Sequence, residues 1–418
     1  MGNFSGIFRV ICYKLCVILL VVINGFSILS CNASNGGVGG GNGNAPVTSP
    51  PPVSSAEGMS VGWNLGNSLD AVRNWDDKVA EETAWGNPVV TQALLNGVKA
   101  QGFDLVRIPV TWNGHIGSAP DYKVSQTRLK RVAEVVGYAR NAGLNVIINM
   151  HHDDSLEYGW LKVGDAAAGL SNKNQITDKY GKVWTQIAEY FKDYGDFLIF
   201  ESMNEVQDGG WGWSDAFKTN PKTQIDIINE WNQLFTDNVR AAGGNNAKRY
   251  LMYPSYASNF DAILPDGKYQ YGAGDVGKYF KLPIDSASGR QIVTFHYYEP
   301  FGFAHPSDGK ITTDSWGTQA QKDEVDKLFA RFKTAFVDKN IPVIIGEMGP
   351  VNLQTTDIGR TNRLAYISYV YGKAKENGLI PVYWDDGGDF GMMNRSTSRP
   401  KDDHSAASFQ AMVKAAGK

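Results

Sequence analysis

Two glutamates stand at or near the ends of short apolar runs. Glu205 follows Phe197-Leu198-Ile199-Phe200-Glu201 by four residues, and Glu347 directly follows Val343-Ile344-Ile345-Gly346. Two carboxyl groups facing each other across a cleft suit hydrolysis of a glycosidic bond. One protonates the leaving oxygen while the other attacks the sugar or activates water. The first must be neutral and the second ionised, so their surroundings must differ. Arg107, a permanent cation, is the residue expected to hold one of them ionised. The two glutamates lie far apart in sequence, so a fold must bring them together.

The elements that would do so are legible from residue 57 onward, where short apolar runs alternate with longer amphipathic ones. Strands are expected at Val61–Leu65, Asp104–Pro109, Leu144–Met150, Phe197–Glu201, Arg249–Tyr253, Ile292–His296, Pro342–Glu347 and Ile380–Trp384. Helices are expected at Val89–Ala100, Thr127–Asn141, Lys182–Asp193, Gln224–Ala242, Gln321–Asp338, Arg360–Glu376 and Ala406–Ala415. Eight near-continuous apolar strands alternating with helices predict one α/β domain, a (β/α)8 TIM barrel. An open doubly wound sheet would bring a glycine-rich turn after its first strand, and Gly66-Asn67-Ser68 is not one.

In such a barrel the chemistry sits at the carboxyl ends of the strands. Those ends carry Asn64, Arg107, His151 with His152, Asn204 with Glu205, Tyr253, His296 with Tyr298, Glu347, and Trp384 with Asp385. Chance would scatter polar residues over both ends, so this one-sided pattern marks an active site. His151-His152-Asp153-Asp154 also invites a metal reading. Neighbours on an extended chain point to opposite sides, which argues against one ion taking both histidines. Tyr298 is placed to steer the nucleophile through its phenol. Trp211, Trp213, Trp316 and Trp384 are candidate faces for stacking pyranose rings, with core packing the plainer reading for some of them.

Composition excludes other chemistries. The 418 residues carry 40 basic and 43 acidic side chains, a net charge of −3, and no long basic run, so nucleic acid is not an expected partner. All three cysteines, Cys12, Cys16 and Cys31, fall before the folded region, which leaves it without thiolate chemistry or disulfides. No Gly-x-Ser-x-Gly occurs. The first 31 residues read as a signal peptide: Arg9 and Lys14 precede an apolar run, and Ser27-Ile28-Leu29-Ser30-Cys31 resembles a bacterial lipoprotein processing site. Residues 32–56, rich in Gly, Asn, Pro and Ser, read as a flexible linker, and 57–418 as the catalytic domain.

Several motifs together resemble glycoside hydrolase family 5, especially its subfamily 4 endoglucanases and xyloglucanases. They are Gly62-Trp63-Asn64-Leu65-Gly66-Asn67-Ser68-Leu69-Asp70-Ala71, Trp85-Gly86-Asn87-Pro88, Val106-Arg107-Ile108-Pro109-Val110-Thr111-Trp112 and Asn149-Met150-His151-His152. Phe200-Glu201-Ser202-Met203-Asn204-Glu205, Phe295-His296-Tyr297-Tyr298-Glu299-Pro300-Phe301 and Ile345-Gly346-Glu347 complete the set. The resemblance implies a retaining endo-β-1,4-glucanase that needs no metal or cofactor. Glu205 would match the acid/base and Glu347 the nucleophile. Arg107, His151, Asn204, His296, Tyr298 and Trp384 would surround the cleaved bond, and Asn64, His152, His305, Trp316 and Asp385 would contact neighbouring sugars. Val206 stands where relatives usually have Pro, and Asp386 where they commonly have Asn.

The expected substrate is a β-1,4-linked glucan, namely cellulose, mixed-linkage glucan or xyloglucan. Leu264–Pro283, with Tyr269, Tyr271 and Tyr279 among glycines, is read as a wide turn offering stacking faces to a branched chain. A mannanase on the same fold and a non-catalytic glycan-binding lipoprotein are the alternatives. The expected setting is the bacterial cell envelope, as a monomer whose membrane contact is limited to an N-terminal lipid.

Overall fold

The computed structural model describes residues 58–73, 79–155, 157–269, 274–306 and 309–418. The expected signal peptide, Cys31 and linker lie outside the described residues. Eight parallel strands close into a barrel: β1 (Gly62–Asn64), β2 (Leu105–Ile108), β3 (Asn145–Ile148), β4 (Leu198–Glu201), β5 (Leu251–Tyr253), β6 (Gln291–Tyr297), β7 (Val343–Met348) and β8 (Leu379–Tyr383). They pair in sequence order and β8 closes onto β1 through Gly62↔Val382 and Trp63↔Tyr383. The expected (β/α)8 barrel is therefore observed.

Alternation along each strand splits the core in two. Leu105, Ile147, Ile199, Met252, Ile292, Ile344, Ile380 and Val382 turn inward and fill the barrel. Trp63, Val106, Val146, Phe200, Val293, Phe295, Ile345 and Tyr383 turn outward against the helices. Two steps beyond the inner apolar residues of four strands stand the polar Arg107, Asn149, Glu201 and Thr294, all buried. The apolar layer is thus a floor, and a polar layer lies above it toward the carboxyl ends.

The helices follow their capping chemistry. Thr91, Ser125, Thr356 and Asp402 each accept a backbone N–H with the side chain at a helix start, and Thr318 with Gln321 forms a reciprocal capping box. The main difference from the sequence reading is the third long helix, Leu170–Tyr190, which begins well before Lys182. Its first turns are polar and largely exposed, so they carry no hydrophobic period to read. Within Leu264–Pro283, Lys268–Tyr269 pairs antiparallel with Gly274–Asp275.

Candidate active site

Arg107 organises the centre. Its guanidinium is fully buried and donates from Nε to Glu201 Oε2 at 2.7 Å, from Nη1 to Glu347 Oε1 at 2.8 Å and Asn64 Oδ1 at 3.1 Å, and from Nη2 to Asn204 Oδ1 at 2.8 Å. Burial disfavours its charge, but Glu201 and Glu347 more than offset this and its pKa is raised. Glu201 also accepts from Asn149 Nδ2 at 3.0 Å. That buried carboxylate, ending β4, was not singled out in the sequence. The signal for it was a cation at an inward position, which must find an anion if buried.

Glu347 reaches this network because β7 carries an irregularity. Thr294 and Phe295 of β6 pair with Ile344 and Ile345, but His296 pairs with Glu347, so Gly346 is skipped. Strict alternation from the inward Ile344 would turn Glu347 out of the barrel; the bulge turns it in. Gly346 is suited to this place, since a Cβ there would lie 2.7 Å from Thr294 Oγ1. Both Glu347 oxygens accept hydrogen bonds: Oε1 from Arg107, and Oε2 from the Tyr298 hydroxyl at 2.9 Å. Burial, and next the charge of Glu347, push the Tyr298 phenol well up, so it stays a donor.

Glu205 has a different environment. Burial pushes its carboxyl up to about 7, against the opposing pull of His152, Arg107 and His305. Its Oε1 lies 2.7 Å from His296 Nδ1. Burial lowers His296 to about 4, so the ring is neutral near neutral pH and Nδ1, in the tautomer that leaves it unprotonated, accepts a hydrogen bond from a protonated Glu205. One carboxylate oxygen each of Glu205 and Glu347 lie within 4.8 Å of each other, together with a His296 nitrogen. Carboxyl groups ~5–5.5 Å apart permit direct attack on the sugar, whereas inverting pairs stand ~6.5–9.5 Å apart to admit water.

Aromatic rings pack beside Glu347. His151 lies nearly parallel to Trp384, with centroids 5.8 Å apart and planes at 9°, and its Nε2 is 3.8 Å from Glu347 Oε1. Gly66 packs against the Trp384 ring, where a Cβ would fall 2.8 Å from it. His152 Nε2 is 3.6 Å from Asp70 Oδ2, and its ring sits 5.3 Å from that of Trp85. The two histidines do not diverge as an extended chain would make them. His151 has φ −97° and ψ −97°, the chain turns there, and their rings come within 4.4 Å. His305 stacks on Phe301 at 4.7 Å and meets the edge of Tyr298 at 5.1 Å, so it belongs to the cleft rim.

Three of the residues expected to contact sugars are buried against protein. Asn64 is fully buried and donates to Gly346 O at 2.9 Å while accepting from Arg107, so it ties β1 to β7. Asp385 is also fully buried: it accepts from Trp63 Nε1, the backbone N–H groups of Gly387, Met392 and Met393, and Arg395. Trp316 is 8% exposed and packs on Tyr366 and Tyr369 of the helix Asp357–Glu376. Asp386 accepts from Gly388 and Phe390 N–H groups and shapes its own turn. Val206 is buried, and its carbonyl accepts from Ala257 N at 2.9 Å. Tyr269 is buried too, and Tyr271 lies outside the described residues.

A (β/α)8 barrel whose carboxyl end holds a raised carboxyl and a cation-bound carboxylate at attacking distance has the constellation of a retaining glycoside hydrolase. Residues 68–389 match the cellulase model of glycosyl hydrolase family 5. The chain belongs to that family. It is 40% identical over 343 residues to endoglucanase A of Paenibacillus barcinonensis, covering 79% of this chain and 81% of that protein. Among solved structures it resembles a GH5-4 broad specificity endoglucanase from Bacteroides salanitronis, at 41% identity and TM-score 0.76, covering 86% of this chain and 93% of that one. It also resembles a family 5 xyloglucanase from Paenibacillus pabuli, at 38% identity and TM-score 0.73, covering 86% and 98%.

Proposed function

We propose that this protein is a retaining endo-β-1,4-glucanase of plant cell-wall glucans, with Glu347 as nucleophile and Glu205 as acid/base. The observation carrying this reading is the short carboxyl separation, within 4.8 Å, combined with unlike surroundings. Glu347, held by Arg107 and Tyr298, attacks the anomeric carbon as Glu205 gives its proton to the departing glycosidic oxygen. The glucosyl ester on Glu347 is then broken by water, from which Glu205 takes a proton, and both carboxyls return to their starting states. His296 positions Glu205, and Asn204 and His151 complete the wall around the reacting sugar. Trp384, His152 and His305 present faces and edges to the sugars on either side.

Proton NMR of the first product should show the β-anomer. Glu347→Gln should abolish turnover, and azide should restore Glu205→Ala as a β-glycosyl azide. An α-anomer as first product would overturn the mechanism.

The proposed substrate range includes branched xyloglucan as well as unbranched β-glucan, with mannan poor. The Paenibacillus pabuli xyloglucanase among the similar structures supports it. Of the tyrosines in Leu264–Pro283, Tyr269 does not support it, because its ring is spent on packing. Comparing kcat/KM on xyloglucan, barley β-glucan, carboxymethyl cellulose and glucomannan tests the range. Xyloglucan below about a hundredth of β-glucan, roughly 2.7 kcal/mol in transition-state binding, would exclude branches. The proposed location is the cell envelope, through a lipid on Cys31 and the linker that follows. Cys31→Ser should release the enzyme from the membrane fraction, and unchanged fractionation would remove the lipid from this reading.

A further inference from the structure

Tyr297 ends β6 with its side chain turned away from the catalytic carboxyls. Its neighbours His296 and Tyr298 reach Glu205 and Glu347, while its own ring packs outward, edge-on to Phe329 at 5.4 Å. Only 3% of the residue is exposed, yet among the described residues its hydroxyl meets no hydrogen-bond partner. A buried phenol ordinarily finds one. That hydroxyl is not sealed in protein. Tyr297 lines a half-open cavity of about 580 Å³ between the segment after β5, the end of β6 and the helix Gln319–Ala335. Cavities that take small molecules run ~300–1,000 Å³.

The lining selects among ligands. Phe260, Pro300 and Leu328 supply apolar walls, and Asp261 and Glu299 supply carboxyl groups. Neither carboxyl forms an ion pair among the described residues: Asp261 accepts the Lys268 N–H, and Glu299 Oε2 accepts from Phe301 N at 3.0 Å. The cations of the lining are already engaged. Arg331 grips Asp266 with Nε at 3.2 Å and Nη2 at 2.9 Å, Lys327 lies 3.5 Å from Glu324, and Lys268 lies 3.9 Å from Asp275. An anion would meet two carboxyls and no cation to spare. A metal ion fits no better, because the groups of described residues close enough to share one are Asp70 with His151 and His152, and Glu205 with His296 and Glu347, both elsewhere. What suits the cavity is a neutral ligand with an apolar face and several hydroxyl donors, since the carboxyls accept and the phenol can do either.

We propose that this cavity is a second carbohydrate site, separate from the catalytic cleft, that holds a short glucosyl stretch of the polysaccharide. A pyranose presents C–H faces to Phe260 and Leu328 and hydroxyls to Tyr297, Asp261 and Glu299. The choice of a glucan rests on the glucanase reading, which puts that polymer beside the enzyme.

The test is calorimetric titration with cellotetraose of the full chain carrying Glu347→Gln, which cannot turn the sugar over. Two sites are expected. Adding Tyr297→Phe, which keeps the ring and removes only the unpartnered hydroxyl, should weaken one of them roughly three- to tenfold. Adding Glu324→Trp, at an exposed position of the helix, should fill the mouth of the cavity and abolish that site while the other persists. Trp384→Ala should weaken only the other. A single site, or two sites that ignore both cavity variants, would overturn the second site. Binding of 1,4-diaminobutane but not cellotetraose, abolished by the same two variants, would make the cavity a site for an organic cation and overturn the sugar. No binding of cellotetraose anywhere would instead overturn the glucanase reading and take this inference with it.

Discussion

The carboxyl proposed as acid/base links catalysis to stability, and Glu205→Gln separates the two. A glutamate that ionises at 4.5 in the unfolded chain and about 7 in the fold binds its proton more tightly when folded. At pH 4 both states carry the proton and the folded form has its full share of stability. As pH rises from 4.5, the unfolded chain ionises first and stability falls, until the folded carboxyl also ionises above about 7. The shift corresponds to about 3 kcal/mol. Because 24% of the side chain stays accessible, solvent screening makes this an upper bound. Glutamine keeps the shape and a donor toward His296 Nδ1 but has no proton to lose. Glu205→Gln should therefore leave Tm nearly unchanged at pH 4 and raise it at pH 8 by up to roughly 4 °C, taking about 2.1 cal/mol/K per residue over ~360 residues. Differential scanning calorimetry across pH measures this. In the same variant the alkaline fall of kcat/KM near pH 7 should vanish on 2,4-dinitrophenyl β-cellobioside, whose leaving group needs no acid. A Tm difference between variant and wild type that is the same at pH 4 and pH 8 would refute burial as the source of the raised carboxyl.

Arg107→Lys keeps the charge but cannot serve Asn64, Glu201, Asn204 and Glu347 together. It should cost about 3–5 kcal/mol of stability and most of the activity, read by chemical denaturation and turnover. Tyr298→Phe removes one hydrogen bond to a charged oxygen of Glu347, worth about 1.5–3 kcal/mol, so kcat should fall roughly 10- to 150-fold with KM little changed. Asp385→Ala should lower stability by several kcal/mol, about the cost of breaking a buried ion pair, while KM for the folded enzyme stays within about threefold. A selective rise in KM without loss of stability would assign Asp385 to the sugar site instead.

The barrel, its eight strands and the end where polar residues gather were readable in the sequence. They rest on local properties: runs such as Val146-Ile147-Ile148 buried on both faces, and polar residues following them at one end. Arg107, Glu205 and Glu347 were readable for the same reason, as charges set beside apolar runs. What those charges touch was not. Glu347 faces inward only because β7 skips Gly346 against β6, a pairing event between strands far apart in the chain. His151 and His152 converge because the backbone turns between strand and helix, which no residue spacing announces. Asn64, Trp316 and Asp385 looked like ligand contacts by type and position, yet each is enclosed by residues from distant parts of the sequence. Side-chain type and apolar period are written locally. Whether a polar group meets water, a sugar or another buried group depends on which segments close over it, and only the assembled fold decides that.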